Sequence, residues 1–257
     1  MQKENIKFQS STILEGMTSL RALFAGRELE INDRPIEHIY FDITKRKNIH
    51  KELGYLRAMS EKYSFSLEGV DASVIDEMTL GTTHGGVIAK CGERSLLPLS
   101  EHIDKIEKQG FYAMIQGIED PYNFGYALRS LYACGLNGVI LSERNWFSAA
   151  GVVARASAGA SELLPVYIAE PSVATDLFHK IEYSVVCADE QTDALLHQTE
   201  LKKPLLLIVG GERRGISRNI LDQADVIVKI AYGRNFRASL SAASAATILG
   251  YEIFRQN

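Results

Sequence analysis

Apolar residues recur along the chain in two rhythms. Over residues 1–95, helical and extended stretches are mixed. "EGMTSLRALFAG" at 15–26 sets Met17, Leu20, Leu23 and Phe24 at helical spacing. "IEHIYFDI" at 36–43 reads as a strand, "NIHKELGYLRAMSEKY" at 48–63 as a helix, and "SFSLEGVD" at 64–71 as a short extended piece. "DASVIDEMTL" at 71–80 predicts another helix, after which "THGGVIAKC" enters a strand. The pattern predicts a small α/β domain over 1–95. The largely polar run "GERSLLPLSEHIDKIEKQG" predicts a linker, placed at 96–110.

From residue 111 the alternation is stricter. Apolar strands are predicted at "FYAMIQGI", "GVILS", "LLPVYIA", "YSVVCA", "LLLIVG" and "DVIVKI". Helical patterns fall between them, and a last helix, "SLSAASAATILGYEIFRQ", groups Leu240, Ala243, Ser244, Thr247, Ile248 and Tyr251 on one face. Strands apolar throughout, alternating with helices, predict an α/β domain over 111–257 with a parallel sheet covered on both faces. Ligands of such sheets bind beyond the carboxyl ends of strands. Three loops fall there: "EDPYNFG", "GGERRGIS" and "AYGRNFRAS".

Charge and composition narrow the picture modestly. The formal net charge is −4, without the overall basic excess of a typical nucleic-acid binder. Local clusters remain at 45–47 ("KRK"), at Arg213, Arg214 and Arg218, and at Arg234 and Arg237. No run of eighteen apolar residues predicts a membrane span, and the polar start "MQKENIKFQSS" predicts no secretory segment. Cys91, Cys134 and Cys187 lack metal spacing. They read as buried small hydrophobes of a cytoplasmic protein, and no metal is expected.

"GGERRGIS" at 210–217 has the glycine spacing of a phosphate-gripping loop, but Ile216 and Ser217 stand where such a loop needs lysine and then serine or threonine. At ~5 Å from one phosphate charge, Glu212 would cost about 3 kcal/mol at an effective dielectric of 20. A less charged ligand read by backbone groups fits better, and a glycine turn holding no ligand stays open as the alternative.

The loops taken together carry a family resemblance. "NFGYALRS" at 123–130 resembles motif one of the SpoU-type (TrmH family) RNA ribose 2′-O-methyltransferases, N-x-G-x-x-x-R. "IVGGERRGIS" at 208–217 resembles motif two, V-x-G-x-E-x-x-G, and "SLSAASAATILGYE" at 239–252 resembles motif three, S-L-N-V-S-x-A ending in tyrosine-glutamate. "ARASAGASELLPVYIA" resembles the segment between motifs one and two, and "THGGV" is similar to a His-Gln-Gly-Val turn of the small domain that often precedes the fold. The resemblance implies a SPOUT fold with a C-terminal trefoil knot, S-adenosylmethionine as cofactor, a homodimer, and a ribose 2′-hydroxyl of RNA as methyl acceptor, with rRNA expected ahead of tRNA. It implies catalytic roles for Arg129, Asn123, Glu212 and Ser239, and cofactor contacts at Gly210, Gly211, Ile230, Ser239 and Leu240. Asn123 would cap its helix, position the ribose, or both. A guanidinium stays protonated, so Arg129 is expected to orient phosphate and stabilise the developing alkoxide. The first 95 residues are expected to recognise RNA, with "TKRKNIHK" as the contact. Motif three departs from the pattern at Ser241, for asparagine, and at Ala243, for serine; Ala231 and Tyr232 follow Ile230, and one extra residue precedes Ser239. These departures keep a second reading open: a non-enzymatic RNA-binding or ribosome-assembly protein on the same fold.

Overall fold

The computed structural model describes residues 12–79, 84–118, 120–142, 149–211, 215–235 and 238–257. Its helices in chain order are α1 (Gly16–Glu28), α2 (His50–Tyr63), α3 (Ala72–Met78), α4 (Pro121–Ala133), α5 (Ala150–Ala156), α6 (Pro171–Lys180), α7 (Arg218–Leu221) and α8 (Ala242–Gln256). The strands of a first, four-stranded sheet are β1 (Ile13–Glu15), β2 (Ile36–Asp42), β3 (Ser66–Val70) and β4 (Val87–Cys91). A second, seven-stranded sheet holds β5 (Leu97–Pro98), β6 (Phe111–Ile115), β7 (Gly138–Leu141), β8 (Val166–Ile168), β9 (Ser184–Ala188), β10 (Leu205–Val209) and β11 (Val226–Val228). None of the described helices is long and apolar enough to cross a membrane.

The chain forms two compact units. Unit 1 is Met1–Ser95 together with Trp146–Leu163; unit 2 is Leu96–Asn145 together with Leu164–Asn257. In unit 1 the strand order is β1-β4-β2-β3. β4 runs antiparallel to both neighbours, and β2 and β3 run parallel. The spacing that predicted the first helix also set its inner face: Leu20, Leu23 and Phe24 are wholly buried. Phe24 packs against the rings of Tyr55, Tyr63 and Phe65 at centroid distances of 5.8–5.9 Å.

The 146–163 segment leaves the second sheet after β7 and completes unit 1. Ala150 and Ala154 enter the unit 1 core. Close approach requires small residues here: a Cβ on Gly26 would collide with the Glu162 carbonyl, and one on Gly159 with Ala22. A polar anchor fixes the seam. The Glu162 carboxylate accepts from Asn32 Nδ2 at 2.6 Å and from Arg34 Nε at 3.0 Å, with both charged side chains about 1% exposed. Arg94 donates to the Ser161 and Ile31 carbonyls at 2.9 and 2.8 Å. Burial alone would raise the Glu162 carboxyl; the charges of Arg34 and Arg94, with the hydrogen bonds from Arg34 and Asn32, hold it below the usual carboxylate range.

Unit 2 is the expected parallel sheet. Every neighbouring pair in the order β11-β9-β10-β6-β7-β8-β5 is parallel. β6 and β10 are buried at every position, which is why they read as unbroken apolar runs. The segment expected as a linker, 96–110, belongs to this unit instead. Leu97 and Pro98 pair in parallel with Tyr167 and Ile168, and Leu99 and Ile106 enter the core. A two-residue edge strand ending in proline is short and lacks one donor, so it leaves almost no period in the sequence.

α8 packs on α4 by a face other than the one grouped from sequence. Of the grouped residues only Ala243 is buried; Ala242, Ala246, Leu249, Gly250 and Ile253 are buried with it, whereas Ile248, Tyr251 and Phe254 are exposed. Closeness decides the choice: a Cβ on Gly250 would sit 2.9 Å from Leu131 Cδ2 and 3.5 Å from Cys134 Cβ. The end of α8 is tied down as well. Gln256 Nε2 donates to the Thr199 carbonyl at 3.0 Å, and Asn257 Nδ2 donates to the Leu201 carbonyl at 2.8 Å. The three cysteines are free and buried, and burial pushes the Cys91 and Cys187 thiols up to about 12.

The chain reverses its winding at the centre of the sheet. From β6 it proceeds outward to β7 and β8, then returns to lay β9, β10 and β11 on the other side. The loops after β6 and β10 therefore emerge side by side and cross backbone on backbone. A Cβ on Gly211 would fall inside the carbonyl group of Gly117, and one on Gly210 would lie 2.5–2.8 Å from Gly215 and Ile216 backbone atoms. Gly117 and Gly215 hold left-handed φ values of +61° and +58°.

Two stability outcomes are expected. Glu162→Gln strands two buried arginines, so urea unfolding at neutral pH should show a loss of about 3–5 kcal/mol. Because the folded-state carboxyl is held low, its contribution is present above the unfolded carboxylate value and fades as pH falls through the folded value. The gap between wild type and variant should therefore narrow in acid. Gly211→Ala should cost about 1–3 kcal/mol through overpacking. Gly54→Ala, on α2 with no atom within 4 Å of the added carbon, should instead stabilise by about 0.5–1 kcal/mol. Equal effects at the two glycines in thermal unfolding would contradict the crossing.

Candidate functional site

All strands of the seven-stranded sheet run the same way, so the loops following β6, β10 and β11 leave one edge. These are the three loops that sequence reasoning selected; those after β6 and β10 flank the reversal of winding, where open α/β sheets hold ligands, and the third follows the edge strand β11. Gly210 and Gly211 follow β10 directly, and Gly211 and Gly215 pair across a tight antiparallel bridge with a 3.0 Å hydrogen bond. The close approach these glycines permit is to the chain's own backbone at Gly117 and Gly215. Glu212, with Arg213 and Arg214, lies outside the described residues, as does Arg237.

α4 opens with its own chemistry. Asp120 caps it, accepting from Tyr122 N at 3.2 Å and Asn123 N at 3.3 Å, and Pro121 occupies the first turn. Asn123 is thus not the cap; it stands half-buried in the first turn, where an expected capping role passes to Asp120. The sequence signal for this was present in "DP", an acidic cap followed by proline. Arg129, two turns on, is exposed, and no hydrogen bond or ion pair to a described residue holds its guanidinium.

The segment from β11 to α8 carries the remaining candidates. Ile230 and Leu240 are half-buried and Ser239 is exposed. The Leu240 N–H donates to the Tyr232 hydroxyl at 3.2 Å, a contact sequence reasoning did not foresee. Ser241 caps α8: its Oγ accepts from Ser244 N at 3.2 Å and lies 3.0 Å from Ser244 Oγ. A serine in place of asparagine therefore keeps the helix start intact. Arg234 is exposed, and Arg218 is engaged with Asp222 at 2.9 Å.

A recess opens beside these residues. Ile230 and Ala231 border an apolar recess of about 390 Å³, completed by Leu196, His197, Thr247, Ile248, Tyr251 and Glu252. Its walls are largely apolar. At the rim, hydrogen bonds from Arg255 and Gln256 pull the Glu252 carboxyl down to about 2, so it stays ionised. Among the described residues no cluster of three or more histidine, cysteine or carboxylate groups is arranged to hold a metal ion.

Residues 110–251 match the model of the SpoU rRNA Methylase family. The chain is 28% identical over 224 residues to a Bordetella pertussis protein named 23S rRNA (guanosine-2′-O-)-methyltransferase RlmB, covering 86% of this chain and 89% of that protein. In fold it is similar to an AdoMet-bound rRNA methyltransferase from Sinorhizobium meliloti, with a TM-score of 0.76, 20% identity, and coverage of 99% of this chain and 90% of that one. It is also similar to the SpoU methyltransferase AviRb from Streptomyces viridochromogenes in complex with AdoMet, with a TM-score of 0.74, 22% identity, and coverage of 95% and 89%. The matched span runs from the first strand of the glycine crossing through the capped final helix, and the chain belongs to the SpoU rRNA methylase family.

Proposed function

We propose that this chain is an S-adenosylmethionine-dependent methyltransferase acting on a ribose 2′-hydroxyl of RNA, with ribosomal RNA as the substrate class. One observation carries the reading: within the family match, the loops that hold the three motifs leave one edge of one parallel sheet. The names of the relatives support the acceptor, and an rRNA substrate supports work in the cytoplasm.

Backbone groups at Gly210, Gly211, Ile230, Ser239 and Leu240 would hold the cofactor, with the apolar recess beside Ile230 as a seat for its adenine. When bound, S-adenosylmethionine supplies an electrophilic methyl group on a sulfonium. Glu212 carries a charge that a cation tolerates, so the carboxylate that argued against a phosphate argues for this ligand. The protein's other task is to align a weakly nucleophilic hydroxyl with that methyl and to stabilise the alkoxide that forms as its proton leaves. Arg129 suits this role. It is exposed and presents a planar fork to phosphate oxygens. Asn123, at the start of the same helix, would position the ribose.

Two further features belong to the reading. The path after β11 is threaded as a trefoil knot, a proposal supported by the hydrogen bonds that bind the end of α8 to residues 199–203. The protein is a homodimer, with Tyr126 and Tyr132 of α4 and Tyr251 and Phe254 of α8 as large exposed rings on two helices that pack together. Light scattering at micromolar concentration should give twice the 28.5 kDa chain mass; a single-chain mass would remove the dimer.

Arg129 supplies the central test. Arg129→Ala should lower single-turnover methyl transfer to rRNA about 10²–10³-fold, the usual loss for one preorganised electrostatic contact. Calorimetric affinity for S-adenosylmethionine should stay within about twofold, because a cation gains nothing from a second cation. Arg129→Lys should recover little, since an ammonium cannot present the same fork. Near-normal transfer by Arg129→Ala would favour the non-enzymatic reading.

A further inference from the structure

We propose that unit 1 contains a pocket for one splayed-out guanine base of the RNA. A cavity of about 340 Å³ opens in this unit, at the small end of the roughly 300–1,000 Å³ that ligand pockets span. Met17, Ile49 and Val87 give it apolar walls on which a flat ring can pack, while Glu15, Glu52 and Arg155 give it polar ones. Gly85 borders it with bare backbone, at φ +64° and with no heavy atom within 4 Å of where a Cβ would stand.

The charges select the ligand. Arg155 is committed to Glu15 at 3.1 Å. His84 Nδ1 accepts the Gly86 N–H at 3.1 Å and its Nε2 lies 3.2 Å from the Asp76 carboxylate, so both ring nitrogens are engaged. What remains is the half-buried carboxylate of Glu52, in the first turn of α2. A lone carboxylate opposes a phosphate and welcomes a donor edge. Guanine offers N1–H and N2–H side by side, two parallel donors to two carboxylate oxygens. Adenine and cytosine offer an amino group next to an acceptor, and uracil a single imino group. Unpaired bases are the ones proteins read in this way.

The rim supplies what the pocket refuses. Gly86 is so close to Lys45 that a Cβ there would lie 2.8 Å from its side chain and 3.6 Å from Nζ. Arg46 and Lys47 follow on the exposed turn that leads to Ile49. Lys45 Nζ stands 3.9 Å from the Asp42 carboxylate, so backbone phosphates flanking the base would meet Arg46 and Lys47 first, while the base itself meets Glu52. This inference rests on RNA being the substrate.

The test uses the full chain and labelled single-stranded hexamers, UUGUUU, UUIUUU and UUAUUU, with binding followed by fluorescence anisotropy. Inosine lacks only the N2 amino group. The guanosine hexamer should bind about tenfold more tightly than the adenosine one, the scale of a good bidentate pair, with inosine between them. Glu52→Ala should erase the order and raise KM for rRNA, while calorimetric affinity for S-adenosylmethionine stays at the wild-type value. Free guanosine 5′-monophosphate should compete poorly, lacking the flanking phosphates. Equal binding of all three hexamers, no binding of any, or an unchanged order in Glu52→Ala overturns the pocket. Competition by the free nucleotide as strong as by the hexamer overturns RNA as its source. Methyl transfer without base preference would sink the pocket alone, and base preference without methyl transfer would sink the enzymatic reading alone.

Discussion

Two peptide backbones cross at the carboxyl edge of the seven-stranded sheet with no room for a side chain between them. Gly117 follows β6 and Gly211 follows β10, and a single added carbon at Gly211 would occupy the Gly117 carbonyl. This constraint orders everything near it. β6 and β10 are neighbours in a parallel sheet, so their loops compete for the same volume. Left-handed turns at Gly117 and Gly215 let each loop double back within a few residues. The crossing leaves a surface made of backbone rather than side chains at the point where the winding reverses. A motif that looks like a phosphate loop is thereby explained without a phosphate: its glycines serve the chain's own packing first.

Unit 1 depends on a different kind of contact. Its sheet and helices would be contiguous in sequence but for the 146–163 segment, which brings Glu162 into a fully buried position between arginines. An isolated carboxylate there would be too costly to ionise. Arg34, Asn32 and the Arg94 charge together make ionisation favourable. Such a cluster adds less to net stability than to uniqueness: it accepts one partner segment in one register. The small residues around it, Gly26 and Gly159 against Glu162 and Ala22, allow the approach that the charges then fix.

The sequence made the regular parts of this architecture readable and hid the irregular ones. β6, β9 and β10 are buried on both faces, so their apolar runs announced themselves, as did the inner face of α1. β5 did not, because two residues ending in proline carry no period. The discontinuity of unit 1 was invisible for a related reason: α5 is a helix between two strands, and local pattern does not tell which sheet a helix covers. The face of α8 was misgrouped because alanine and glycine score as weakly apolar although they mark the closest contact. Large Ile248 and Tyr251 drew attention outward instead. At the site, the motif order located three loops and the Asp120-Pro121 pair marked the cap of α4, while the Tyr232 contact follows from geometry that no residue type announces alone.

The departures in motif three become coherent once that geometry is known. An extra residue between Ile230 and Ser239 lengthens an irregular segment, and a longer segment loses more entropy when ordered. Tyr232 offsets this by accepting the Leu240 N–H. Asparagine and serine both cap helices well, so Ser241 holds the start of α8 through Ser244 N as the longer side chain would. Ala243 is buried, and Thr247 donates to its carbonyl at 2.8 Å. A serine hydroxyl at this position would need a partner of its own, whereas a methyl needs none. Tyr232 and Ser241 thus each accept a backbone hydrogen bond that fixes the segment between β11 and α8, while the buried methyl of Ala243 asks for no partner.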